Sequence, residues 1–169
     1  MVAVPIILTY NIRMTSKIDR IYMSEALKEA KKAFDADDVP VGAVIVYKGK
    51  IIARAHNQIK LLKDPTAHAE MIAITQAASY LENERLLATT LYVTIEPCLM
   101  CAGALVLARV DRVCFGAPDL KTGAFGSVFD VNKKRLNHKI IVSKCIMEDE
   151  CAFLMQEFFK KKRRGRLVA

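Results

Sequence analysis

His68-Ala69-Glu70 and, twenty-seven residues further on, Pro97-Cys98-Leu99-Met100-Cys101 are the two stretches from which the rest of the chain is read. One imidazole and two thiolates fill three corners of a zinc tetrahedron and leave the fourth for water, which is a catalytic rather than a structural arrangement. Glu70 adds a carboxylate placed to take a proton from that water. Cys98 and Cys101 are three apart and share one face of a helix, and Pro97 before them suits a helix start. The positive end of that helix lowers thiol pKa and favours metal binding as thiolate. His68 and Glu70, two apart, would point to nearly opposite sides of a regular helix. They are therefore expected in an entering turn, with Thr66 or Asp64 as the N-cap.

Three blander readings compete. A lone Cys-x-x-Cys can be a redox pair, but such pairs need no upstream His-x-Glu. A structural zinc site needs a fourth protein ligand, to be drawn from His56, His138, Cys114, Cys145 or Cys151. Glu70 on its own can be a solvated helix residue; the downstream cysteines at this spacing argue otherwise.

Outward from these motifs the chain alternates elements. Lys17 to Phe34 carries Ile18, Ile21, Tyr22, Leu27, Ala30 and Phe34 on one helical stripe. Val41 to Tyr47 and Ile51 to His56 read as strands joined by a hairpin turn at Lys48-Gly49-Lys50. A helix opening at Pro65 and Thr66 runs to about Leu81. Leu91 to Ile95 is a strand, Cys98 to Arg109 a helix and Arg112 to Phe115 another strand. Gly116 to His138 is long enough for a crossover, so Lys139 to Ser143 can lie parallel to its predecessor. Glu148 to Lys162 closes the chain as a helix with Phe153, Leu154, Met155 and Phe158 inward. This order predicts an α/β fold of three layers, α/β/α, with helices on both faces of one five-stranded mixed sheet.

Composition bounds the rest. The 169 residues are enough for one domain, and 53% hydrophobic residues can fill its core. Five cysteines, two of them assigned to metal, fit a reducing cytoplasm, and Cys114, Cys145 and Cys151 are expected as core thiols. The apolar run Val2 to Leu8 lacks the basic start and length of a signal peptide and is too short to cross a membrane. Residues 1–16 are expected to form a loose extension, with Met14 and Met23 as alternative starts. Lys160, Lys161, Lys162, Arg163, Arg164 and Arg166 supply +6 of the net charge of +8. Such a tail is either a solvated helix end or a polyanion contact. Lys121, Lys133, Lys134, Arg135 and Lys139 form a second basic cluster after the metal motif and favour the polyanion.

From about Met23 to Phe159 the chain resembles the bacterial tRNA-specific adenosine deaminases, a branch of the zinc-dependent cytidine deaminase superfamily. Pro40-Val41-Gly42-Ala43 and Asn57 match positions lining that family's pocket, and Asp64-Pro65-Thr66-Ala67-His68-Ala69-Glu70 matches its helix entry. Asn57 can present an amide to a purine edge or serve only as a turn residue after the second strand. Phe115-Gly116-Ala117, then Asp119 and the run Lys121 to Ser127, resemble the loop that meets the anticodon. Guanine and cytosine deaminases share the zinc motif but not usually that run. Gln58, Ile59, Leu107 and Pro118 depart from the family's pattern and bear on the details of anticodon grip.

The resemblance implies a cytidine deaminase-like fold with strand order 2-1-3-4-5, and both zinc-bearing helices on one face. It implies a single deaminase domain over 17–159 followed by a basic tail over 160–169. His68, Cys98 and Cys101 would hold one Zn2+ per subunit, with Glu70 catalytic. Asn57, Val41, Ala69, Pro97, Asp119, Lys121 and Phe158 would bind substrate, and amides near Cys98 and Ala69 would help hold reacting groups. The implied reaction is hydrolysis of adenosine to inosine at the wobble position of a tRNA anticodon, with arginine tRNA of anticodon ACG as substrate. The implied partners are a tRNA anticodon stem-loop and a second copy in a homodimer, in the cytoplasm and with no membrane. The rivals are a small-molecule deaminase acting on guanine, cytosine or a nucleoside, and a non-catalytic RNA-binding module with a structural metal, which would leave Glu70 unexplained.

Overall fold

The computed structural model describes the backbone of residues 6–166 and the side chains of residues 17–164. Helix α1 (Ile6–Asp35) begins before the expected Lys17, and the idea of a loose extension over 1–16 lies outside the described residues for 1–5 and for the side chains of 6–16. Strands β1 (Gly42–Tyr47) and β2 (Lys50–His56) form an antiparallel hairpin. Its turn is Lys48-Gly49 alone, at φ of 48° and 75°, while Lys50 already pairs with Tyr47. Positive φ at both turn residues matches the twist of the flanking strands.

A short helix α2 (Ile59–Leu62) precedes α3 (Ala69–Leu81). Strand β3 (Thr89–Ile95), helix α4 (Leu99–Leu107) and strand β4 (Arg112–Ala117) follow. A long connection with a single 3-10 turn, Val131–Lys133, leads to β5 (Ile141–Ser143), and α5 (Glu148–Arg166) closes the chain. The sheet order is β2-β1-β3-β4-β5; the first two pairings across it are antiparallel, whereas β3–β4 and β4–β5 are parallel. The expected five-stranded mixed sheet, its order and the parallel fifth strand are all present.

Alternation along the strands divides the core in two. Ala43, Ile45, Leu91, Val93, Val113 and Phe115 pack with Ala69, Ala73 and Ala77 of α3 and with Ala102, Leu105 and Val106 of α4. The intervening Val44, Val46, Tyr92 and Cys114 pack with Met23 and Ala26 of α1 and Cys151 of α5. The metal-motif helices thus cover one face and the terminal helices the other, because a sheet buried on both sides must be apolar at successive positions.

Two inward faces differ from expectation. In α1 the buried positions are Asp19, Met23, Ala26, Glu29, Ala30 and Ala33, while Ile18 and Ile21 point outward. Small residues let the helix lie directly on β1: a Cβ at Gly42 would stand 2.1 Å from the Ala26 carbonyl oxygen. Two buried carboxylates lie on this helix: Asp19 is matched by two guanidinium nitrogens of Arg112, at 2.9 and 2.8 Å, and by the Tyr92 hydroxyl, and Glu29 pairs with Lys32. In α5, Phe153 is exposed while Cys151 and Phe158 are buried. Cys114 and Cys151 are core thiols as expected, but Cys145 is exposed, in the left-handed backbone turn before α5. No helix among the described residues is long and apolar enough to cross a membrane.

Candidate active site

The approach to α3 is built from polar turns. Asp64 Oδ1 accepts from the Thr66 amide at 2.8 Å and from its hydroxyl at 2.7 Å, and the Thr66 carbonyl accepts from His68 N–H at 2.7 Å. The helix therefore starts at Ala69, not at Pro65-Thr66, and the N-cap position is held by His68, in extended conformation at φ −73° and ψ 151°. This resolves the spacing problem. His68 stands off the helix and Glu70 on its first turn, so both can face one hollow.

The same device repeats opposite. Cys98, extended at φ −72° and ψ 173°, occupies the N-cap position of α4, and Cys101 lies in its first turn. His68 Nδ1 is 3.7 Å from Cys98 Sγ and 3.5 Å from Cys101 Sγ, and the three donor atoms lie within 4.8 Å of one another. Ligand bonds of about 2.0 Å to nitrogen and 2.3 Å to sulfur give a tetrahedral N···S edge of about 3.6 Å, so the triad has the spacing of three zinc ligands. Hydrogen bonds from Cys101 and His68 pull the Cys98 thiol down to about 4, which makes it a thiolate at neutral pH. His68 is shifted upward by the same contact, and Cys101 is held above the ordinary thiol range by its neighbour Cys98 and by burial.

Glu70 is buried, and its Oε2 is the one buried side-chain oxygen or nitrogen among the described residues without a hydrogen-bond partner. Burial pushes its carboxyl up to about 7. An unpaired acceptor in this position, beside a ligand set with one corner open, fits a bound metal and its water as the missing partners.

The other expected residues divide into those at the site and those that build it. Asn57 is buried directly after β2, and its Oδ1 accepts from Ala69 N–H at 2.9 Å, tying the strand end to the start of α3. No hydrogen bond is made by its amide nitrogen among the described residues, which leaves a donor for a ligand. Ala69 N–H is thereby engaged, so this amide is not free to hold a reacting group as expected. The Val41 carbonyl accepts from Asn57 N–H, and the carbonyl of buried Pro97 accepts from Ala124 N–H, so both set backbone position. Asp119 bonds back to Lys121 and Thr122, and its side chain shapes the loop.

Two open grooves flank the end of α5. One, of about 770 Å³, is walled by Asp37, Val39, Lys60, Phe158, Phe159, Lys161, Lys162 and Arg163. The other, of about 420 Å³, includes Ile95, Pro118, Lys121, Phe159 and Arg163. Neither has the triad or Glu70 in its walls; the chemistry is located by the donor set, not by volume. Phe158 is only 3% exposed, its ring edge-on to Phe34 at 5.8 Å, whereas Phe159 is 44% exposed and offers the open ring. Of the second basic cluster, Lys139 is exposed but donates to the carbonyls of Asn132 and Lys134.

Sequence reasoning missed Glu96, which is 2% exposed and accepts four hydrogen bonds from the 119–127 loop. Its signal was a carboxylate between the apolar strand β3 and Pro97, where no solvent face exists.

A family model for MafB19-like deaminases matches residues 18–163. A tRNA-specific adenosine deaminase of Bacillus subtilis is 47% identical over 152 residues, covering 89% of this chain and 94% of that protein. The chain belongs to this family of deaminases. One from Aquifex aeolicus is 49% identical, covering 84% of this chain and 94% of its own. A solved structure described in studies of A-to-I editing by tRNA:A34 deaminases matches with a TM-score of 0.77 and 42% identity, over 79% of this chain and 97% of that one. This deaminase shares the overall fold of that structure over most of its length.

Proposed function

We propose that this enzyme hydrolyses adenosine to inosine at the wobble position of a tRNA anticodon, with the arginine tRNA of anticodon ACG as substrate and one zinc per subunit. The observation that carries the chemistry is the buried, unpaired Glu70 carboxylate beside a His68, Cys98 and Cys101 triad at tetrahedral spacing. The A-to-I activity named for its relatives supplies the substrate.

Zinc held by His68 Nδ1 and the two Sγ atoms would supply a Lewis acid that makes water nucleophilic near neutral pH. Glu70 takes the proton of the attacking water, gives it to N1 of adenine as oxygen adds to C6, and then carries a proton to the departing amine, which leaves as ammonia. Asn57, anchored through its oxygen, directs its amide N–H toward the base. The target base must leave its stack to reach a carboxylate as buried as Glu70, and an anticodon loop permits that at lower cost than a duplex.

The grooves suit a single-stranded loop. Lys60, Lys161, Lys162 and Arg163 offer charge to phosphates, and Phe159 a face for stacking. A homodimer is supported by the outer side of α4, where Leu99 and Leu107 are 52% and 76% exposed and the Gly103 Cβ position is open. The reducing cytoplasm suits the thiolate ligands. Incubation with an unmodified tRNA pool followed by sequencing for inosine tests the proposal. Inosine confined to position 34 of arginine tRNA is expected; a pool without inosine refutes it.

A further inference from the structure

Loop 118–129 lies between the metal-bearing strand end and the groove walled by Lys121, and it contains almost no regular structure of its own. One backbone bond ties it to the end of β3, Ala124 N–H to the Pro97 carbonyl at 2.9 Å, while Gly123 N–H to the Asp119 carbonyl, at 3.0 Å, closes a turn inside the loop. Ala124 and Phe125 are buried in the core, and Lys144 Nζ donates to the Phe125 carbonyl at 2.6 Å; the remaining polar attachment to the end of β3 passes through one side chain. Glu96 Oε1 accepts from Phe125 N–H at 2.8 Å and Ser127 N–H at 3.2 Å; Oε2 accepts from Asp119 N–H at 3.2 Å and from the Ser127 hydroxyl. No lysine, arginine or histidine pairs with this carboxylate among the described residues. Its charge is satisfied entirely by loop donors, an arrangement stronger than neutral hydrogen bonds of the same number.

The fit is close. A Cβ at Gly123 would come within 2.5 Å of the Glu96 carboxylate, so the loop backbone is pressed against it. Asp119, whose amide Glu96 holds, in turn receives Lys121 N–H at 2.8 Å, and Lys121 reaches the groove shared with Phe159 and Arg163. A chain of contacts therefore runs from the residue before Pro97 and Cys98 to the basic wall of the groove.

We propose that Glu96 is the positioning residue of this enzyme: it fixes the substrate-facing loop against the metal-bearing strand end and so sets where Lys121 meets the RNA. The inference rests on the tRNA reading for its substrate, but the anchoring itself is independent of that reading. E96Q discriminates between the two ends of the loop. The amide oxygen can keep the Phe125 and Ser127 N–H groups, whereas the amide nitrogen meets the Asp119 N–H donor to donor, while the Ser127 hydroxyl can turn to accept. The Asp119–Lys121 end is the one that should loosen.

The test uses the zinc-loaded protein, with E96Q and S127A as separate variants. Hydrogen exchange at Asp119 to Thr122 is expected to quicken by about tenfold in E96Q, with β3 and β4 unchanged and zinc content kept. KM for an anticodon stem-loop should rise by about tenfold, the loss of one charge-assisted hydrogen bond, while kcat per zinc-loaded subunit stays within about threefold. S127A, which removes one donor and leaves the carboxylate in place, should move KM the same way by about threefold. A merely structural role predicts a lower Tm or lost zinc with KM unchanged in the folded fraction, and that result overturns the proposal; if E96Q does not fold, an unchanged KM in S127A overturns it equally. A parent protein inactive on the stem-loop would refute the tRNA reading, and the exchange data would still decide the anchoring.

Discussion

Cys98 belongs to the ligand triad while Glu70 is a buried carboxylate with an unpaired oxygen, and their loss should separate metal binding from proton transfer. C98A removes a ligand and leaves His68 and Cys101 too few to hold the ion, so zinc and thermal stability should fall together. Elemental analysis finding one zinc per subunit in C98A would contradict the ligand assignment. E70Q should keep zinc and bind RNA yet lose about 10²–10⁴-fold in kcat, because the amide cannot move protons. Activity within about tenfold of the parent would count against the shuttle. A pH effect follows from the same burial. The Glu70 carboxyl stands at about 7 against an ordinary 4.5, so in zinc-stripped protein its protonated form favours folding below pH 4.5, and that stability is lost as pH rises toward 7. The loss amounts to roughly 3 kcal/mol at most. Zinc-stripped E70Q, which has no charge to bury, should melt above zinc-stripped parent at pH 8 and level with it at pH 4; equal melting at both would show the carboxylate to be solvated.

The helix starts at His68 and Cys98 show which parts of an element sequence can reveal. That His68, Cys98 and Cys101 come together was legible from spacing, but the positions of the caps were not. Asp64 and Thr66 bond to one another in a turn and leave His68 to occupy the N-cap position, a choice made by tertiary contact with the thiols. In α1 the large aliphatic residues suggested the inward face, yet the close approach at Gly42 selects alanines there. Glu96 showed in sequence only as a carboxylate with no solvent face; its partners, backbone amides from a loop about thirty residues away, are encoded by no periodicity. The end of α5 carries a further consequence. Asp37 pairs with both Lys60 and Lys162, and those two lysines hold its carboxyl down at about 2. It is the acidic residue of an otherwise basic groove, so D37N should free both lysines, tighten stem-loop binding and steepen its salt dependence by up to about 0.7 in slope for each further phosphate neutralised. An unchanged slope would place both lysines away from the RNA.

For the molecule as a whole, the sheet order and the two-sided core were readable because alternating apolar strands and amphipathic helices admit few arrangements; the strand order itself came from resemblance. The exposed leucines on the outer side of α4 were not readable from spacing alone, since Leu107 stood out only as a departure from relatives. L107K should shift the protein from dimer to monomer in sedimentation, and a dimer of unchanged stability would locate the interface elsewhere. The most direct measurement sets substrates against each other: an anticodon stem-loop with adenosine at the wobble position, free adenosine, cytosine and guanine, each at equal concentration with zinc-loaded protein, followed by mass spectrometry for loss of ammonia. The stem-loop should be converted to inosine far faster than any of the others, because contacts to flanking nucleotides orient the reacting base. Faster consumption of guanine or cytosine would contradict the tRNA assignment and make the chain a small-molecule deaminase.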